Sequence, residues 1–225
     1  MLDAFEGTDA QIVLTSPLDF NFMGFARNGH PTPHFRELVT SAVARCRDGV
    51  RALAREKRVA FLDLFRLNID LFGPNHALRQ QILVGNVPIR LMEAGDTGAS
   101  GFIFDGVHTQ RVVQAIWGQA IVAALNGGCG AAVPSLTESD MLAAGGLTYG
   151  GTDTLYQTLR PMRFYVQRFD CPADFNADRQ VGVQDIFDFL ELFFAGDIRA
   201  DVDASATIQL DDLFSFLASY FSGCS

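Results

Sequence analysis

The amino-acid sequence predicts an α/β domain with a parallel sheet, followed by a small all-α module. Three observations lead to this. Short apolar runs alternate with segments of helical period across residues 1–126. Strand–helix–strand units with short connections build parallel sheets with helices on their faces. Residues 173–196 repeat at 200–223, an offset of 27. The charge divides in the same place: residues 169–225 hold eleven Asp and Glu against two Arg, so the net charge of −9 sits in the last quarter of the chain.

Residues 11–16, QIVLTS, are apolar and β-branched and read as a buried strand. Residues 32–57 place Phe35, Leu38, Val39, Ala42, Val43, Cys46, Val50, Leu53 and Ala54 at helical spacing, with Thr32 or its neighbour as cap and Pro33 in the first turn. RVAFLDL at 58–64 reads as a second strand, and residues 76–84 read as a helix begun by His76. GFIFDGVH then leads from residue 101 into a helix at 109–126. Residues 127–168 read as a linker or extension, with SLTESD at 135–140 as a capping box before a short helix. AAGGLTYGGTD at 143–153 lacks the Lys and Ser/Thr of a phosphate loop. The expected organisation is therefore 1–126, 127–168 and 169–225.

An acidic tail of this kind argues against nucleic acid as a partner, because phosphate recognition needs the opposite sign. Its phenylalanines argue against a disordered acidic segment. No apolar run reaches the roughly 20 residues of a membrane span, and MLDAFEGTDAQ lacks the basic and apolar regions of a signal peptide. His30 and His34 lie on a Pro-rich loop and read as solvated rather than as metal ligands.

Each repeat reads as a ligand loop, one helix of about ten residues and a glycine stop. The loop spacing suits calcium, which takes six to eight oxygens from positions 1, 3, 5, 7, 9 and 12 of a 12-residue loop. The first loop offers Asp174, Asn176, Asp178, the Gln180 carbonyl, Gly182 through water, and Asp185. The second offers Asp201, Asp203, Ser205, the Thr207 carbonyl, Gln209 and Asp212. Val181 and Ile208, at position 8, are expected to pack the paired loops together. Position 6 calls for φ > 0 and normally for Gly; Arg179 and Ala206 stand there, at a cost of about 1–2 kcal/mol each. Ser205 also replaces a carboxylate. The first loop is expected to bind Ca²⁺, and the second to bind weakly or stay empty.

In FIFDGVHTQ, Asp105 and His108 stand three apart between a strand and a helix. A turn of that length can set a carboxylate against an imidazole, which fixes the tautomer and frees the other ring nitrogen as a general base. On spacing alone the motif is weak, and a helix-capping Asp beside a surface His is the bland alternative.

Residues 171–224 resemble dockerin type I-like EF-hand repeats, with Asp rather than Glu at position 12. The D-G-x-H block before a final helix, together with the preceding strand order, resembles the C-terminal half of SGNH or GDSL-like esterases. That resemblance implies a flavodoxin-like parallel-sheet fragment over 1–126, ester substrates, and catalytic roles for Asp105 and His108. Thr109 stands where that family usually has Pro. The family's G-D-S nucleophile block and its Gly and Asn oxyanion blocks are absent from this sequence, so the chain alone is expected to be inactive or nearly so and Met1 to be an internal start. The dockerin resemblance implies module ends close together, a Cys171–Cys224 disulfide, and hence an extracellular or periplasmic setting for the full-length protein. It also implies a cohesin-like or cell-surface partner. Three readings compete: part of a secreted ester hydrolase with a calcium module, a non-catalytic calcium-dependent docking protein, and an α/β ligand-binding domain.

Overall fold

The computed structural model describes residues 5, 7–30, 32–203, 205 and 207–223. Among these, the architecture is mixed α/β, with seven α-helices and two small three-stranded mixed sheets. Strand β1, Val13–Thr15, is followed by helix α1, Gly24–Gly29, and by α2, Pro33–Glu56. Thr32 caps α2 by accepting from the Phe35 N–H at 3.2 Å, and Pro33 occupies its first turn. Strand β2, Ala60–Leu62, then runs parallel to β1, with Val13 opposite Ala60 and Thr15 opposite Leu62. The Asp63 side chain caps α3, Leu64–Phe72.

The helix expected at 76–84 is not there. Residues 81–84 form strand β3, which pairs antiparallel with β4, Val87–Ala94. The reason lies in the turn. Gly85 and Asn86 both have positive φ, 56° and 63°, which suits a tight two-residue hairpin whose twist matches the strands. Burial then alternates along β3, with Ile82 and Val84 inward. His76 lies in a turn and starts no helix. Strand β5, Ser100–Phe102, joins β4 in parallel.

Helix α4, Arg111–Cys129, buries Val112, Val113, Ile116 and Ala120. It is long and apolar enough by composition to cross a membrane; in this fold it lies against β2 and the strand beside it. Residues 127–168, expected to be a linker, are built into the core. They supply α5, Glu138–Ala144, with the anticipated Thr137/Asp140 capping box. Met141, Leu142, Leu155, Leu159, Met162 and Tyr165 from this stretch join the main apolar cluster. They also supply β6, Val166–Arg168, which pairs antiparallel with β2. The sheet β1–β2–β6 is therefore mixed, not wholly parallel. The second edge of β2 is filled by a strand whose sequence, VQR, is too short to carry a periodic signal.

The repeat region forms α6, Val183–Phe194, and α7, Leu210–Ser222. Phe189 and Phe216, partners in the repeat, are fully buried and stack at 4.3 Å with rings 3° from parallel. Ile208 packs against this cluster, whereas Val181 remains 40% exposed and does not share in it as expected. The module lies directly on the α/β domain through arginines. Arg51 donates to the Ile198 carbonyl at 2.9 Å, Arg55 to the Asp201 carbonyl at 2.5 Å, and Arg160 pairs with Glu191 at 2.9 Å.

Candidate functional site

Asp105 and His108 are brought together. The Ile103 N–H bonds the His108 carbonyl at 2.9 Å and Gly106 turns at φ 64°, closing a tight loop after β5. Asp105 Oδ1 accepts from the N–H groups of Val107 and His108, both at 2.9 Å. Asp105 Oδ2 lies 2.6 Å from His108 Nδ1. With Nδ1 directed at the carboxylate, Nε2 is the nitrogen that faces outward chemistry. The pair is open to solvent, His108 being 73% exposed. No serine hydroxyl among the described residues is hydrogen-bonded to His108. Ser16, the buried serine after β1, donates to Asp63 at 3.3 Å and accepts from the Phe65 N–H.

The imidazole of His108, then the N–H groups of Val107 and His108, hold the Asp105 carboxyl down at about 2, against an ordinary 3.8. A carboxyl depressed on folding favours the ordered loop fully above its ordinary value and loses that contribution as pH falls towards 2. His108→Ala is expected to move the Asp105 titration upward, since the largest cause is removed. Side-chain ¹³C chemical shifts against pH check this, and an unmoved titration would refute the pairing.

His108 also borders an open groove of about 460 Å³. Leu18, Phe20 and Met23, from the connection after β1, line it together with Val107, Trp117 and His108. Sequence reasoning missed this groove. The signal available was the lone tryptophan early in α4, nine residues after His108, which lines the same groove.

The two cation loops adopt related geometry. Arg179, at position 6 of the first, has φ 68°, the left-handed conformation expected there despite its side chain; Ala206 lies outside the described residues. At position 12, Asp185 accepts from the Asn176 and Gly182 N–H groups at 3.1 and 2.8 Å, and Asp212 accepts from Asp203 and Gln209 at 3.1 and 2.9 Å. Among the described residues, the carboxylates gathered closely enough to share an ion are Asp201, Asp203 and Asp212, with oxygens within 4.8 Å of one another. Asp201 is 3% exposed and its Oδ1 is buried without a hydrogen-bond partner. Burial pushes the Asp201 carboxyl up, while Arg55 and Arg51 pull it back. A buried acceptor with no donor, beside two more carboxylates, fits a hard divalent ion.

In the first loop, position 1 is already met by a cation of the protein. Arg168 donates to Asp174 Oδ2 at 2.6 Å, and Arg179 N–H adds a second bond to that oxygen at 2.9 Å. Asn176 and Asp178 turn their oxygens on the Asp178 and Gln180 N–H groups. Gln180 is exposed, and so are Ser205, which donates to the Thr207 carbonyl at 2.9 Å, and Thr207. Sequence spacing ranks the first loop above the second; the closest set of carboxylates stands in the second. Arg51 and Arg55, which reach Asp201, come from α2, and Arg168, which reaches Asp174, comes from β6 just ahead of the loop, so spacing within the loops carried no trace of them.

Cys171 is buried and disulfide-bonded, and Cys46 and Cys129 are free thiols. Cys224, its expected partner, lies outside the described residues. No family model, no curated protein and no solved structure matches this chain.

Proposed function

We propose that the chain is the base-bearing portion of an SGNH-like ester hydrolase, joined to a dockerin-like calcium-binding module. The observation that carries this is the 2.6 Å approach of Asp105 Oδ2 to His108 Nδ1 beside an apolar groove. His108 Nε2 takes the proton from an attacking hydroxyl, and Asp105 fixes the tautomer and stabilises the imidazolium that forms. The attacking group on this reading is water or a nucleophile supplied from outside these residues. The flavodoxin-like assignment of the α/β part belongs to the same proposal. It is supported by the parallel β1–α2–β2 unit and by the D-G-x-H turn ahead of α4.

Turnover of p-nitrophenyl butanoate tests it. The expected result is slow hydrolysis without an initial burst, falling about a hundredfold in His108→Ala and in Asp105→Asn. Equal rates in all three proteins would overturn the base assignment, and a burst would reveal a nucleophile within the chain.

The module is proposed to hold Ca²⁺ through Asp201, Asp203 and Asp212, with Asp174, Asn176, Asp178 and Asp185 as the second set. The ion supplies positive charge that relieves the repulsion among these carboxylates. Free Ca²⁺ at a hundred times its dissociation constant stabilises by about 2.7 kcal/mol. For a chain of this size that is an expected rise in melting temperature of about 5–10 °C over the chelated protein. Asp212→Ala should remove the second-loop share of the calorimetric binding heat. No heat and no melting shift in the wild type would refute calcium binding.

A docking role is the second reading, and one observation favours it. Repeat-related residues on α6 and α7 expose apolar side chains to nearly equal extents: Phe187 60% and Phe214 63%, Phe194 81% and Phe221 80%. Large solvent-facing phenylalanines in related positions mark a contact surface for a protein partner of the cohesin or cell-surface kind.

A further inference from the structure

We propose that the groove beside His108 binds the alkyl chain of an alkanoate ester, so that the substrate is a medium-chain acyl ester rather than an acetylated sugar. This rests on His108 being the base of an ester hydrolase. The groove's volume of about 460 Å³ lies within the range of small-molecule sites. Its walls are the side chains of Leu18, Phe20, Met23, Val107 and Trp117, and His108 is the one ionisable group that lines it. The Gln114 amide already donates to the Thr109 carbonyl at 2.7 Å, and the Trp117 indole N–H is the lining donor left without a partner.

A sugar ring brings several hydroxyls, each of which must find a partner or lose its hydration without return. Beyond the single Trp117 N–H, which one ester carbonyl oxygen would satisfy, these walls offer almost none. An alkyl chain asks for no partner and gains by leaving water. Phe20, 49% exposed, provides apolar surface that such a chain would cover. The acyl carbon attached to the chain would then lie next to the imidazole that shares the wall.

Trp117 is the chain's one tryptophan, so its fluorescence reports occupancy of the groove directly. The test is titration of the full chain with methyl butanoate through methyl octanoate, using Trp117 emission as the readout. Affinity is expected to rise about fourfold per methylene, roughly two-hundredfold over the series. Phe20→Ser, at an exposed position that leaves the core intact, is expected to weaken methyl octanoate at least tenfold, as is Val107→Asp. A flat series overturns the proposal, as does equal binding of acetylated xylobiose or indifference to both substitutions. The outcome separates the groove from the base. Chain-length dependence with equal turnover in wild type and His108→Ala supports the groove and removes the base. A flat series with turnover that depends on His108 does the reverse.

Discussion

Glu138→Ala is expected to destabilise the protein by about 3–6 kcal/mol. Glu138 is 4% exposed at the start of α5. Its carboxylate accepts from the Gly85 N–H in the β3–β4 turn, from Thr154 N–H at 3.0 Å and from Leu155 N–H at 2.9 Å. Removing it strands three buried donors, each worth about 1–3 kcal/mol when left unsatisfied. One carboxylate thus holds the hairpin turn to the segment that delivers β6 and the helical module. Glu138→Gln keeps one acceptor oxygen and should fall between. Urea unfolding with linear extrapolation measures both. A loss below about 1 kcal/mol for the alanine variant would mean that water reaches these donors.

Phe216→Ala is expected to lower stability by about 3–5 kcal/mol, the usual range for a fully buried phenylalanine. The ring stacks on Phe189, and Phe175 meets both edge-on, at 5.4 and 5.9 Å. Phe175 is position 2 of the first cation loop, so the cavity opens against a residue between two calcium-ligand candidates. Phe189→Ala should cost about the same. The double variant should lose about 0.5–1.5 kcal/mol less than the sum, because the two single changes both remove the stack. Strict additivity would show that the repeats fold without each other. Melting of the variants with and without Ca²⁺ also shows whether the cation loops depend on this stack.

Local pattern and local chemistry were readable before any coordinates. Thr32–Pro33 marked the start of α2, Thr137 and Asp140 marked α5, and the 27-residue offset paired Phe189 with Phe216. The D-x-x-H turn is equally local: three residues suffice to set Asp105 against His108. The caps and the D-x-x-H turn depend on neighbours within a turn or two of the chain, where capping and spacing act, and the Phe189–Phe216 pairing was readable because the chain repeats itself.

Other features depended on residues far apart in sequence. Residues 76–84 mixed apolar and polar positions in a way compatible with helix, and the Gly85–Asn86 turn with its β4 partner decided for strand. β6 was invisible because three residues make a strand only when β2 offers an open edge. The groove joins residues 18–23 to 107–117, and Arg51 and Arg55 reach Asp201 from α2. The amino-acid sequence determined which short segments can cap, turn, stack and gather oxygens. The tertiary structure alone decided which side chains from separate segments share a wall or a charge, because such contacts arise from packing and leave no period in the chain.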